Sequence, residues 1–100
     1  DTEAEIIANS EHMKTLVSIN LGENKIGDGG TIALAQSNYL HNINKLYLYK
    51  NKINCKGALA IVASFKNLNV LFIRYNPIED AGNRAIESFK DQNPQCTVLY

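Results

Sequence analysis

Residues 45–53 read KLYLYKNKI, in which leucine alternates with tyrosine from Leu46 to Tyr49. Successive side chains of a β-strand point to opposite faces, so the two leucines share one face while Tyr47 and Tyr49 share the other. Asn51 lies two residues after Tyr49, where the alternation ends. The pattern predicts a short strand with an aliphatic face, an aromatic face and a polar turn at its end.

The same pattern occurs three times in the chain. Residues 16–26 read LVSINLGENKI, residues 43–53 read INKLYLYKNKI and residues 68–78 read LNVLFIRYNPI. Each copy has the form apolar-x-x-apolar-x-apolar-x-x-Asn-x-Ile. A glycine lies six residues after each asparagine, and an alanine three residues after that glycine. Self-similarity at such a period indicates a repeat protein whose units stack on one another.

This recurrence resembles the leucine-rich repeat, whose pattern is L-x-x-L-x-L-x-x-N/C-x-L. The Gly-x-x-Ala tail is similar to that of the helical subtype found in ribonuclease inhibitor and the NOD-like receptors. The resemblance implies an α/β right-handed solenoid, a horseshoe segment with parallel strands on its concave face and helices on its convex face. It also implies a protein-recognition module that catalyses no reaction.

The alignment divides the 100 residues into complete and partial repeats of one segment. Residues 1–15 are expected to form the helix of a preceding repeat whose strand is missing, and residues 96–100 are expected to start a further strand. Three complete repeats lie between them, at residues 16–42, 43–67 and 68–95. We therefore expect the chain to be a piece of a longer array.

Aliphatic side chains at fixed repeat positions are expected to form the core. In the strands these are Leu16, Ile19, Leu21, Ile43, Leu46, Leu48, Leu68, Leu71 and Ile73. Parallel strands need crossover connections, and we predict helices near residues 2–11, 29–37, 56–66 and 81–91. Their inward residues are expected to be Ile6, Ile7, Ile32, Leu34, Leu59, Ile61, Val62, Ile86 and Phe89.

The recurring asparagines, Asn24, Asn51 and Asn76, are predicted to form a structural ladder. Each lies where a strand ends and the chain turns, and a buried side-chain amide there can bond backbone groups that lack another partner. Replacing Asn51 by leucine is expected to cost about 1–3 kcal/mol, because backbone donors and acceptors would lose their partners.

The face opposite the leucines is the candidate functional site. At equivalent positions of the repeats this face carries tyrosine, phenylalanine, arginine and lysine. All of these types except lysine are enriched in protein interfaces. The predicted contact residues are Tyr47, Tyr49, Phe72, Arg74 and Tyr75, flanked by Lys45, Lys50 and Tyr100. The predicted partner is a protein, whose identity the sequence does not name.

Three other interpretations of these residues remain open. The aromatic side chains could serve only to stabilise the sheet, since neighbouring aromatic residues on adjacent strands attract one another. The segment could be a scaffold that associates with itself through its exposed outer strands. Aromatic residues interleaved with cations could also bind single-stranded nucleic acid, although Glu23 on the same face and a net charge of zero weigh against this.

Charge and composition narrow the possible functions further. No acidic residue lies between Asp28 and Glu79, a span that contains six lysines and arginines, so this part of the chain could face an anionic partner. No apolar run is long enough for a membrane span, and we expect no cofactor, no metal site and no enzymatic activity. Two cysteines without a scaffold pattern and the lack of an N-x-Ser/Thr motif favour a cytoplasmic location, including delivery into a host cell if the parent is a bacterial effector.

Overall fold

The computed structural model describes all residues from Asp1 to Tyr100, in which strands alternate with helices. The helices are α1 (Thr2–Ala8), α2 (Asp28–Ala35), α3 (Cys55–Ser64) and α4 (Asp80–Gln92). The strands are β1 (Ser18–Asn20), β2 (Lys45–Tyr47), β3 (Val70–Phe72) and β4 (Thr97–Leu99). A short 3-10 turn, Glu11–Met13, precedes β1. None of the helices is long and apolar enough to cross a membrane.

The four strands form one parallel sheet in the order β1-β2-β3-β4. The central leucines are in register, with Leu46 opposite Leu71 and Leu71 opposite Val98. Each helix packs against the next helix along the chain. This is the α/β solenoid expected from the repeat, with one strand for every turn of the chain.

The core lies between the sheet and the helices, and the repeated aliphatic positions fill it. Leu46, Leu48, Leu71 and Ile73 are almost fully buried. The equivalent side chains of the first repeat, such as Ile19, are only partly buried, because β1 has a neighbouring strand on one side only. The predicted strand positions of the second and third repeats are therefore confirmed as core.

Two of the helix positions predicted to face inward are exposed instead. Ile6 is 64% exposed and Leu59 is 44% exposed. In α1 the buried residues are Ala4 and Ala8, and Ile6 lies about 200° around the helix from each of them because successive residues turn by about 100°. The small alanines, rather than the isoleucine, allow α1 to approach α2 closely.

Glycine is required where consecutive helices meet. A Cβ atom built on Gly57 would lie 2.8 Å from Ile53 Cγ2 and 2.7 Å from Asp28 Oδ1. One built on Gly82, the equivalent residue of α4, would lie 3.2 Å from the Cα of Cys55 in the preceding helix. These glycines therefore allow close packing between helices of adjacent repeats.

A carboxylate from one repeat caps the helix of the next. Asp28 Oδ1, at the start of α2, accepts hydrogen bonds from the backbone N–H groups of Asn54 (2.8 Å) and Gly57 (2.9 Å) at the start of α3. Asp1 Oδ1 accepts in the same way from the N–H of Gly27 (2.7 Å). The first N–H groups of a helix have no partner within the helix, so these contacts stabilise both the helix start and the stacking of repeats.

We expect Asp28→Ala to lower the free energy of unfolding by about 1–2 kcal/mol, the usual cost of removing a helix cap. Asp80→Ala is the matched control, since Asp80 begins α4 as Asp28 begins α2. Its effect should stay below about 0.5 kcal/mol, as for most exposed substitutions. Urea unfolding followed by circular dichroism measures both, and equal losses would contradict the capping role of Asp28.

The two cysteines are free and lie in different environments. Cys96 is buried in the core beside β4, and this burial raises the pKa of its thiol, although a backbone hydrogen bond at Leu71 acts in the opposite direction. Cys55 is half-buried at the start of α3. Because the thiolate is the reactive form, a raised pKa and burial together protect Cys96 from thiol reagents.

We expect Cys55 of the folded protein to react quickly with Ellman's reagent near neutral pH and Cys96 to react at least about tenfold more slowly. The variant Cys55→Ser isolates the slow thiol, which should become reactive on addition of urea. The raised pKa means that the folded state favours the protonated form of the Cys96 thiol. The stability that this preference provides should be lost as the pH rises through the folded-state pKa of Cys96. Rapid labelling of folded Cys55→Ser would contradict the placement of Cys96.

Candidate functional site

The open sheet face is the side of the sheet that the helices do not cover. It carries the side chains that alternate with the buried leucines, together with those of the turns that follow β2 and β3. The structure brings seven of the eight predicted contact residues to this face or its adjoining turns: Lys45, Tyr47, Tyr49, Lys50, Phe72, Arg74 and Tyr75. Their neighbours in sequence, Leu46, Leu48, Leu71 and Ile73, point the other way into the core.

Three aromatic rings form the centre of the open sheet face. Tyr47 and Phe72 are opposite each other in the pairing of β2 with β3, with ring centroids 6.5 Å apart. The ring of Tyr49 lies 5.0 Å from that of Phe72 and is tilted by 38°. All three side chains are half-buried, so they pack on one another and still present surface to solvent. These contacts are compatible with both hypotheses, namely that the rings bind a partner and that they only stabilise the sheet.

Gly22 of the first repeat determines where the Tyr49 ring lies. A Cβ atom at Gly22 would overlap Cζ and both Cε atoms of the Tyr49 ring. The ring therefore lies directly over the backbone of the neighbouring repeat, in space that any other residue type would fill. The repeat pattern did not predict this role of Gly22, because it depends on how adjacent repeats stack.

The turn after each strand has the same left-handed backbone in all three repeats. Glu23, Lys50 and Tyr75 have φ angles of 63°, 53° and 62°, a region that residues other than glycine rarely adopt. Hydrogen bonds between repeats hold two of these turns, since the N–H of Glu23 donates to Tyr49 O and that of Lys50 donates to Arg74 O. Lys50 Nζ lies 5.8 Å from the centroid of the Tyr75 ring, within the range of a cation–π contact.

Two asparagines hold these turns together, as predicted. Asn51 Oδ1 accepts from the N–H groups of Asn24 (3.0 Å) and Ile26 (2.8 Å), and its Nδ2 donates to Leu21 O (2.9 Å) and Leu48 O (3.0 Å). Asn76 makes the same kind of contacts in the next repeat, where its Nδ2 donates to Leu48 O and Ile73 O and its Oδ1 accepts from the N–H of Ile53. Each amide thus bonds backbone of its own repeat and of the preceding one.

Asn24 departs from the predicted ladder. Its side chain is exposed, and its Nδ2 donates only to Gly22 O within the same turn. The reason is geometric, because no strand lies beyond β1 to supply the backbone groups that a ladder asparagine bonds. Its role in the ladder is to donate its backbone N–H to Asn51.

The predicted placement of Tyr100 on this face is wrong. The pairing of β4 places Val98 opposite Leu71 and Leu99 opposite Phe72, so Leu99 takes the outward position that the sequence alignment gave to Tyr100. A shift of one residue sends a side chain to the other face of a sheet. The Tyr100 ring instead lies 6.0 Å from Lys90 Nζ of α4, on the helix side of the sheet. The open sheet face therefore carries three of the five tyrosines.

Charge is distributed unevenly over the open sheet face. Lys45, Lys50 and Arg74 are exposed around the aromatic centre. In the first repeat the position equivalent to Lys50 is occupied by an acidic residue, Glu23, which is also exposed. No group of three or more His, Cys, Asp or Glu side chains is close enough to hold a metal ion. The chemistry available at this face is hydrophobic contact, hydrogen bonding and attraction of negative charge.

The comparison with family profiles agrees with this architecture. The family described as Leucine Rich repeat matches residues 12–35, which contain β1 and α2. The fold is a leucine-rich-repeat solenoid segment. Leucine-rich-repeat domains generally mediate protein–protein interaction and are typically not catalytic. No curated protein and no solved structure matches the chain significantly.

The match covers the first complete repeat, which lies at one edge of the sheet. Residues 12–35 include Asn24, whose side chain is exposed, and the partly buried strand β1. The later repeats are supported by the register of the sheet, since β2, β3 and β4 continue the parallel pairing that starts at β1. Sequence profile and strand register thus support the same fold from different parts of the chain.

Proposed function

We propose that this chain is a protein-recognition module whose open sheet face binds a protein partner and which catalyses no reaction. The observation that carries the proposal is that the same two short strands, β2 and β3, bury their aliphatic side chains on one face and leave an aromatic centre, Tyr47, Tyr49 and Phe72, uncovered on the other. Aromatic and arginine side chains supply much of the binding energy in protein interfaces. A surface built by side chains that the core does not need is also free to suit a particular partner.

The double variant Tyr47→Ala/Phe72→Ala tests this proposal. With a partner isolated by its affinity for the wild-type chain, we expect binding by the double variant to weaken at least about 30-fold, the loss typical of a hot spot. The matched control is Ile6→Ala/Leu59→Ala, which removes exposed apolar side chains from the helices. Unchanged affinity in a folded Tyr47→Ala/Phe72→Ala variant would contradict the proposal.

Self-association through the outer strands is the second candidate. The strands β1 and β4 each pair on one side only, and Val17 beside β1 is 53% exposed. Unpaired strand edges can join separate chains. Sedimentation velocity at high micromolar concentration should then show dimers or larger species that Val17→Lys disperses. A wild-type chain that sediments as a monomer rejects this candidate and leaves the open sheet face as the binding surface.

We also propose the helical subtype seen in ribonuclease inhibitor and the NOD-like receptors. Its support is the helix that follows each of β1, β2 and β3, with glycine early in each helix. A cytoplasmic location is proposed on the basis of the two free cysteines, which are typical of reducing compartments. Cell fractionation of the source tests the location, and recovery in a secreted fraction would contradict it.

A further inference from the structure

The middle of the chain concentrates positive charge at the open sheet face. Residues 29–78 contain no aspartate or glutamate, whereas the chain as a whole has equal numbers of acidic and basic residues. Of the six cations in this span, Lys45, Lys50 and Arg74 adjoin the aromatic centre on β2, β3 and their turns. The local potential at this face is therefore positive even though the net charge is zero.

The cations lie at opposite ends of the aromatic centre. Lys45 is opposite Val70 in the pairing of β2 with β3, and Arg74 follows Val70 by four residues. At about 3.3 Å per residue, this places the two cations about 13 Å apart along the strand direction. Phe72, in contact with both tyrosines, occupies the middle of that interval.

We propose that the open sheet face binds an acidic, extended protein segment with two carboxylates about four residues apart and an apolar side chain between them. The carboxylates meet Lys45 at one end and Arg74 with Lys50 at the other, while the apolar side chain rests on Phe72. An extended chain covers the distance between the cations in about four residues. This proposal rests on the proposed function and adds the chemical class of the partner.

The arrangement of the rings favours a protein segment over single-stranded nucleic acid. Bases stack on the free faces of aromatic rings. Here all three rings are half-buried, the Tyr49 ring lies against Gly22 and Phe72 packs against two tyrosines, so less ring surface is free for base stacking. Glu23 at the end of the face would repel a continuous line of phosphates, whereas carboxylates spaced along a peptide can avoid it.

The test uses the whole 100-residue chain and a synthetic peptide with blocked ends and the sequence Gly-Glu-Ser-Leu-Ser-Glu-Gly. Its matched control replaces both glutamates by glutamine. In a titration followed by NMR amide shifts at low salt, we expect shifts at Tyr47, Phe72 and Arg74 and an affinity at least about tenfold higher for the glutamate peptide. High salt should reduce this difference, because exposed charges are screened.

Protein variants identify the cations involved. Lys45→Gln and Arg74→Gln should each weaken binding of the glutamate peptide by about threefold, the size expected for one exposed ion pair. Lys66→Gln, a change at an exposed cation after α3, should leave the affinity unchanged. All three side chains are exposed, so the fold should survive each change, and circular dichroism checks this.

The other outcomes contradict the acidic-segment proposal in distinguishable ways. Equal binding of the glutamine peptide at the same residues would overturn the charge requirement and leave the open sheet face as a protein-binding surface. Tighter binding of an oligothymidylate than of the glutamate peptide would assign the face to single-stranded nucleic acid. If neither peptide shifts the face, the proposed segment is wrong, and the Tyr47→Ala/Phe72→Ala experiment decides separately whether the face binds a protein.

Discussion

Replacing Asn51 by leucine is expected to lower the free energy of unfolding by about 3–5 kcal/mol, since one stranded buried group already costs about 1–3 kcal/mol. The loss exceeds the sequence-based figure because the amide bonds five backbone groups across two repeats: the N–H of Asn24 and Ile26, and the carbonyls of Leu21, Leu48 and Tyr49. Leucine fits the volume but leaves these groups without partners. The melting temperature should fall by about 12 °C or more.

Asn24→Leu is the matched control for this prediction. Asn24 occupies the same repeat position, but its exposed side chain makes one hydrogen bond within its own turn. We expect its loss to cost less than about 1 kcal/mol. Thermal and urea unfolding of both variants measure the difference, and similar losses for Asn24→Leu and Asn51→Leu would show that the asparagines do not connect the repeats as described.

Leu71→Ala should have an effect of similar size for a different reason. Leu71 has no exposed surface and lies in register between Leu46 and Val98, both of which are buried. Truncation removes apolar contacts and leaves a cavity that neighbouring strands cannot easily close. The expected loss is about 3–4 kcal/mol, within the range measured for leucine-to-alanine changes in protein cores.

The control for Leu71→Ala is Leu59→Ala. Leu59 is 44% exposed on α3, and alanine is an equally good helix former there, so the expected loss is below about 1 kcal/mol. Urea unfolding followed by far-UV circular dichroism gives both values. A Leu59→Ala variant as unstable as Leu71→Ala would contradict the assignment of strand residues to the core and of Leu59 to the surface.

The strands of the complete repeats could be predicted from the sequence because two signals agree there. Alternation assigns Leu46 and Tyr47 to opposite faces, and the following asparagine fixes the register. Residues 96–100 lack that asparagine, and the apolar run Val98-Leu99-Tyr100 fits two registers equally well. Only the pairing with β3 selects the register with Val98 inside, which moves Tyr100 from the predicted site to the helix side.

Contacts between repeats were the other part that the sequence did not predict. Asp28 caps α3 by bonding Asn54 and Gly57, which lie 26 and 29 positions further along the sequence. The fit of Tyr49 over Gly22 likewise depends on how adjacent repeats stack. Periodicity also failed to separate Leu59 from Ala58, since neighbouring apolar residues on a helix leave the direction of the core open. Stacking determines that Ala58 is buried and Leu59 exposed.

Site-specific photocrosslinking is the direct test of whether the open sheet face binds the partner. A benzophenone side chain replaces Tyr75, which is 67% exposed beside the aromatic centre, or Leu59, which is exposed on the helices. We expect a covalent adduct with the partner from position 75 and none from position 59. An adduct from position 59, with none from position 75, would contradict this expectation.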